Sequence, residues 1–528
     1  MHTCTSSLNL MKRDVHHTTE AHPMPTIAST LRDTAARVPD RIAVLFGDTS
    51  YSYAELDTVV DKVAAELTAR GLRKGDRIAL LAPSSDRFIV AFYAVHRIGA
   101  VFVPINPASS APEVAYIVRD SGARLLIHDP ALASVVSAVV DGGLPDDVQV
   151  VALGPNPDHD DLIAAAAVRE HTAVDDDVAE SDDAQILYTS GTTGNPKGAL
   201  FDHHRAMWTA VTMLGTCGIR DADRMLHVAP LYHAAELCLM LIPGTLVGAT
   251  HVVHAGFDPA KVLDDLEQHR ITMFFGVPTM YQFLLRQPDL RRRDLSAWRT
   301  GMFGAAPMPP SAVEELVATL PGVDLIQLCG QTEAGPSGIF CDSAQVRSRP
   351  DASGRQGMMG MECRLVDIDG EPVAPGGVGE LLLRGETVMK RYWGKPQATA
   401  DTIVDGWLHT GDVCRLDADG YMTIVDRLKD MIITGGRNVY SVEVEGAIAA
   451  HPDVVDAAVV GRPHHEYGES IVAIVTVADG RTLTLNALEE FLAPGSRATR
   501  FRTSWSSPPR SLATRPARSS SASCGTRC

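Results

Sequence analysis

The 528-residue sequence has nine cysteines but no CxxC pair and no cysteine spacing of the kind that ligates a metal. A disulfide scaffold and a zinc module are therefore excluded, and free thiols in a reducing compartment are expected. A basic excess is missing as well: 47 Lys and Arg stand against 65 Asp and Glu, for a net charge of −18. Such a charge opposes docking on nucleic acid or on an anionic membrane surface. The opening residues, MHTCTSSLNLMKRDVHH, have no signal-type apolar core. The most apolar stretch, Leu237 to Val253, is broken by Pro243, Gly244 and Gly248 and falls short of the roughly 20 residues a membrane span needs. It reads as a buried segment of a cytoplasmic protein with no integral membrane segment. No internal repeat is evident. What is present, 45% hydrophobic and 21% charged residues, is the composition of a globular chain long enough for several domains.

Residues 1–26 read as an unstructured extension, with Met24 an alternative start. Ser52 and Glu55, three apart, then form a capping box before Leu56, Val59, Val60, Val63, Ala64 and Leu67 at helical spacing. RIALLAP reads as a strand, Asp86 to Ile98 as a helix and AVFVPI as a strand, an alternation that predicts parallel sheet covered on both faces. Between Asp141 and Asp183 the acidic, turn-rich text reads as solvated loop. A second α/β block runs to about Pro350. Short strands divided by Gly, Pro and Asp from Arg355 to Thr423 predict antiparallel β structure. A compact alternation from Met431 (MIITGG, a helix from Ser441 to Ala450, VVDAAVVG, ESIVAIVTVADG) predicts a small separate domain.

YTSGTTGNPKG, Tyr188 to Gly198, invites comparison with the nucleotide P-loop GxxxxGK[ST]. Lys197 has the right offset from Gly191, but Pro196 and Gly198 replace the required glycine and hydroxyl, so this is not a Walker loop. It still offers what phosphate binding requires. Gly191, Gly194 and Gly198 permit close backbone approach, Thr189, Ser190, Thr192 and Thr193 carry hydroxyls, and Lys197 brings a cation. The preceding strand AQILYTS puts the loop at a strand's carboxyl end, where open α/β sheets bind ligands.

The eleven-residue string resembles the signature loop of the adenylate-forming superfamily, in its acyl-CoA and aryl-CoA ligase branch, and further motifs follow in family order over roughly Ile27 to Ala493. The resemblance implies a large N-terminal domain (27–428) of two parallel-sheet α/β subdomains plus a β-rich one, and a small mobile α+β domain (429–494). It implies ATP, Mg2+ and coenzyme A as cofactors and a carboxylic acid, a fatty acid in the first instance, as substrate; oligomeric state stays open. In QLCGQTEAGP, Thr332 contacts the α phosphate and Glu333 ligates magnesium. Cys329 stands where the family stacks an aromatic on adenine. Gly304, Ala305 and Ala306 of FGAAPM form the turn beside adenine and the acyl group. Asp412 and Arg427 bind the ribose, Lys429 is the hinge, and Gly435 and Gly436 line the pantetheine tunnel. His233 of PLYHAAEL gates the acyl carboxylate. No aspartate for an α-amine is present, which argues against an amino-acid substrate, and Ala235 and Leu328 pull the pocket size in opposite directions. On these terms Thr192, Lys197, His233, Glu333 and Lys429 carry the catalysis. A ligase that loads a carrier protein, and a catalytically impaired acyl- or nucleotide-binding protein, stand as alternatives.

One family feature is missing. A proline, a few small residues and a Gly-Lys pair should follow the helix Leu485 to Ala493, the lysine reaching the carboxylate and α phosphate. Instead, from Gly495 the sequence holds arginine and serine but no Lys, Asp or Glu. This composition predicts a disordered tail over 495–528 and is explained by a reading-frame shift near Pro494.

Overall fold

The computed structural model describes residues 24–170, 178–189, 195–434, 437–478, 480–492 and 511–516. The capping box forms as read: Ser52 accepts from the Glu55 amide while Glu55 returns to the Ser52 amide, opening the helix Tyr53–Ala69. Leu56, Val60, Val63, Ala64 and Leu67 are its buried stripe. The strands Arg77–Leu81 and Val101–Ile105 flank the helix Asp86–Arg97 and pair in parallel.

Two mostly parallel sheets make the body. In the seven-stranded one, Gln149–Ala152, Ala123–His128, Arg77–Leu81, Val101–Ile105 and Asp183–Thr189 run parallel. Two antiparallel strands, Lys197–Asp202 and Arg391–Tyr392, finish that edge. The nine-stranded sheet has a parallel centre, from Asp324–Gly330 through Thr300–Gly304, Met273–Gly276, Arg224–His227 and Thr250–Val253 to Ile42–Phe46. The stretch Leu237 to Val247 is buried helix, its first turn, Leu237–Leu241, wound as a π-helix. No helix among the described residues is long and apolar enough to cross a membrane.

A third sheet is antiparallel, with Met361–Val366, Val378–Gly385, Trp407–Leu416 and Met422–Arg427 as its main strands. The fourth begins at Ile432–Thr434 and pairs Val454–His464 with Gly468–Val477, the helices Ser441–Ala449 and Leu485–Leu492 completing the small domain.

Two expectations are corrected. The acidic region read as loop contains the strand Gln149–Ala152 and the helix Leu162–Ala167. Its apolar runs are short, but a sheet edge needs only four residues to pair. Within the tail read as disordered, Ser511–Pro516 is a strand laid parallel on Gly468–Val477. Edge pairing uses main-chain groups, so an Arg/Ser-rich composition does not prevent it.

Candidate active site

The carboxyl ends of the parallel strands open into one cleft of about 1600 Å³. Asn106, Thr189, Tyr232, His233, Phe275, Ala305 and Cys329 enter it from successive strand ends of both large sheets, and Asp412, Arg427 and Lys429 from the third sheet and the segment after it. This is the crevice in which open α/β sheets hold ligands.

Lys197 opens the strand Lys197–Asp202, hydrogen-bonded antiparallel to Asp183–Thr189, so the signature loop joins two strands. Its ends are pinned. Tyr188 donates to Asp120 (2.8 Å), Tyr116 to the Pro196 carbonyl (3.0 Å), and the Trp393 amide to the Gly198 carbonyl (2.7 Å). Gly198 has no room for a side chain, since a Cβ there would lie 2.4 Å from the Ile186 side chain. Ser190, Gly191, Thr192, Thr193 and Gly194 lie outside the described residues, as do Gly435 and Gly436.

Across the cleft, Thr332–Ala334 is one turn of 3-10 helix after the strand Asp324–Gly330. Glu333 Oε1 accepts from the Tyr392 hydroxyl (2.8 Å) and from Thr189 Oγ1 (3.2 Å). No group of three or more His, Cys, Asp or Glu among the described residues converges as a metal cage. A single carboxylate bonded to Thr189 at the start of the signature loop fits magnesium, which takes one or two carboxylates and completes its shell with substrate phosphates and water.

Asp412 and Arg427 are paired at 2.9 Å across adjacent strands. Burial raises the Asp412 pKa and the Arg427 charge opposes the shift. Glu380 ties this corner down by accepting from the Gly411 amide (2.9 Å) and bonding His409 (2.8 Å). Lys429 lines the cleft beside Asp430. From the small domain the Ser441 amide and hydroxyl bond Asp426, and Glu443 pairs with Arg415 (2.6 Å).

Part of the lining is apolar: Tyr232, Leu239, Phe275 and Leu328, with the small residues Ala235, Ala305, Ala306 and Pro307. Gly304 leads into the turn because a Cβ would sit 2.0 Å from the Leu328 carbonyl oxygen. Ala305 takes the left-handed backbone, φ 66°, at a cost of roughly 1–2 kcal/mol for a residue with a Cβ; such strain gathers at functional turns. His233 caps the short helix Ala234–Glu236, its Nδ1 accepting from the Ala235 amide (3.3 Å). Burial lowers its pKa, so the ring is neutral and carries its proton on Nε2. Behind this segment runs a fully buried relay. Glu236 Oε1 meets His227 Nδ1 (2.6 Å), His227 Nε2 meets His251 Nδ1 (2.8 Å), and His251 Nε2 meets Thr245 Oγ1 (3.1 Å). Burial pushes the Glu236 carboxyl up and both imidazoles down, which keeps all three neutral.

The AMP-binding enzyme profile matches residues 31–393 and the AMP-binding enzyme C-terminal domain profile matches 443–499. The chain belongs to the AMP-binding enzyme family. Within it the protein falls in the acyl-CoA and aryl-CoA ligase branch, as the motifs imply. It is 41% identical to feruloyl-CoA synthase of an Amycolatopsis species over 84% of this chain and 87% of that one. It is 33% identical to the long-chain-fatty-acid–CoA ligase FadD13 of Mycobacterium tuberculosis, over 86% of this chain and 88% of that one. ATP-bound MatB from Rhodopseudomonas palustris superposes with a TM-score of 0.83 at 30% identity, covering 93% and 94% of the two chains. As expected of this AMP-binding enzyme, two parallel-sheet subdomains, a β-rich one and a small C-terminal domain are all present.

Of the residues singled out in the sequence, Thr189, Lys197, His233, Ala305, Ala306, Cys329, Thr332, Glu333, Asp412, Arg427 and Lys429 line the one cleft. Gly198 and Gly304 flank it at the contacts given above. Cys329 stands largely buried on the wall, and burial raises the pKa of its thiol, leaving it uncharged. Sequence reasoning missed Tyr392, Asp120, Glu380 and Asp426. None sits in a motif quoted above, although Asp426 directly precedes Arg427 in the chain.

Proposed function

We propose that this AMP-binding enzyme converts an aryl-type carboxylic acid to its coenzyme A thioester through an acyl-adenylate. The supporting observation is the composition of one cleft, which brings together Lys197, Glu333, the Asp412–Arg427 pair and the apolar side chains of Leu328, Phe275, Tyr232 and Leu239. The aromatic Phe275 and Tyr232 suit an aryl acid, and the 41% identity to a feruloyl-CoA synthase supports that class.

In the first half-reaction a substrate carboxylate oxygen forms a bond to the α phosphorus as the α–β anhydride breaks, and pyrophosphate leaves with the electron pair. Lys197 neutralises charge on the outer phosphates, Asp412 accepts from ribose hydroxyls, and neutral His233 orients the carboxylate with its Nε2 proton. Glu333 would hold magnesium, which screens the triphosphate from the incoming carboxylate. In the second half-reaction the thiol sulfur bonds the acyl carbon, the thiol proton is lost and AMP leaves. Rotation about Lys429 would turn a different face of the small domain, which already borders the cleft, toward it for this step. The cytoplasm is the expected compartment.

A panel of cinnamic, benzoic and fatty acids, scored by pyrophosphate release and thioester formation, tests the substrate class. Cinnamic acids should exceed fatty acids in kcat/KM by at least about tenfold, one well-filled pocket contact's worth. Fatty acids ahead by the same margin would favour the FadD13-like reading. Thioester formed on a holo carrier protein but not on free coenzyme A would favour the carrier-loading alternative.

A second reading concerns the first half-reaction, because no lysine follows Lys429. Joining each codon's third base to the next codon's first two lets the junctions from Ser511 to Arg518 be decoded as Pro-Arg-Asn-Pro-Ser-Gly-Lys. That is the proline, small residues and Gly-Lys pair the resemblance implies. Adenylation by the chain as written should be slower by about 10² to 10³, the cost of one missing transition-state donor. Pyrophosphate exchange compared between this chain and a frame-restored one measures it. Equal rates would remove the frame shift as an explanation for the tail.

A further inference from the structure

We propose that Tyr392 is a positioning residue that holds the magnesium carboxylate and the phosphate lysine apart, its hydroxyl on Glu333 and its ring face under Lys197. The proposal rests on the reading of Glu333 and Lys197 given above and assigns a role to a residue outside every motif quoted for the site.

Tyr392 lies on the two-residue strand Arg391–Tyr392, opposite Ala199 on the strand that Lys197 begins. The side chain is buried, 5% exposed, although it borders the cleft. Its Oη donates to Glu333 Oε1 at 2.8 Å, and the Lys197 ammonium lies 4.8 Å from its ring centre. A phenol presents a positive edge at its O–H and a negative face at its ring, so one side chain meets both opposite charges favourably. Among the described residues no ion pair joins Lys197 to Glu333. Two opposite charges free to approach across a narrow cleft would pair with each other and be lost to the triphosphate. The ring prevents that by standing between them.

The placement is rigid. The Tyr392 amide donates to Thr399 Oγ1 (3.0 Å), the Lys390 amide to the Leu200 carbonyl (2.9 Å) and the Met389 amide to the Glu333 carbonyl (2.9 Å). The same segment is thus bonded to the lysine strand on one side and to the glutamate turn on the other.

The test measures binding of a fluorescent, non-hydrolysable ATP analogue by the full chain, titrated with Mg2+. Tyr392→Phe keeps the ring face and removes the donor. It should raise the Mg2+ concentration for half-maximal binding about tenfold while leaving metal-free nucleotide affinity unchanged. Tyr392→Leu removes both and should in addition weaken metal-free binding about fivefold. Wild-type behaviour in both variants would overturn the proposal. So would equal losses in both parameters for both variants alongside a lowered Tm, the signature of a merely structural residue. If the unaltered chain binds the analogue without responding to Mg2+, the reading of Glu333 itself has failed, an outcome distinct from any effect of Tyr392.

Discussion

The phosphate wall and the acyl wall of the cleft are built by opposite means. On the phosphate side, charged and hydroxyl groups face the cavity and are fixed by bonds visible from it, Tyr392 and Thr189 on Glu333, Asp120 on Tyr188. On the acyl side the cavity sees small or apolar groups, and the polar bonds lie behind them in the Glu236–His227–His251–Thr245 relay. The difference follows from the ligands. A triphosphate needs charge held at fixed points, whereas an acyl group needs a shape with no unpaired polar atom in it. The relay behind the wall braces that shape without presenting polarity to the substrate, with Glu236 Oε2 its one buried atom that finds no partner.

Acid should act on the fold through four buried histidines. His96, His203, His227 and His251 are held neutral by burial, with pKa values lowered to about 4 for His96 and about 3 for His227, and well below the ordinary 6.5 for the other two. The unfolded chain takes up protons below that ordinary value and the folded chain does not, so stability falls as pH drops through it, each ring costing up to about 1.4 kcal/mol per pH unit. Glu236, raised by burial, runs the other way and offsets one ring. Denaturant midpoints measured from pH 7 to pH 5 should fall steadily; a flat profile would mean that these rings are not buried neutral.

Lys197→Ala attacks the phosphate wall and should slow pyrophosphate release by about 10² to 10³ with the fold intact, read from kinetics beside an unchanged melting curve. Glu236→Ala leaves His227 Nδ1 without its partner in a dry site and should cost about 1–3 kcal/mol of stability. It should also blur acid selectivity while nucleotide affinity holds; equal damage to both would erase the distinction between the walls. The smallest effect expected is from Leu328→Ala, which enlarges the cleft at its apolar lining and should shift preference toward bulkier acids by about tenfold, checked on the same acid panel.

Much of this was legible in the chain. Local chemistry announces itself locally: the Ser52–Glu55 box, the strand before the signature loop and the motif residues of the cleft are read from neighbours within a few positions. Tyr392 and Asp120 carry no such mark, since their partners are distant in sequence and meet only through sheet pairing. The strand at Gln149–Ala152 was obscured because acidic turns on both sides outweighed three apolar residues. Ser511–Pro516 pairs through its backbone, which side-chain composition does not report.

Asp426 and Arg427 are adjacent in the chain yet face different clients. Asp426 fastens the first residue of the small domain's helix, Ser441, while Arg427 clasps Asp412 on the nucleotide side. On the proposed reading, rotation of the small domain would part Ser441 from Asp426, one peptide unit away from the Arg427 that holds Asp412, so that the gate and the grip would share a single backbone joint.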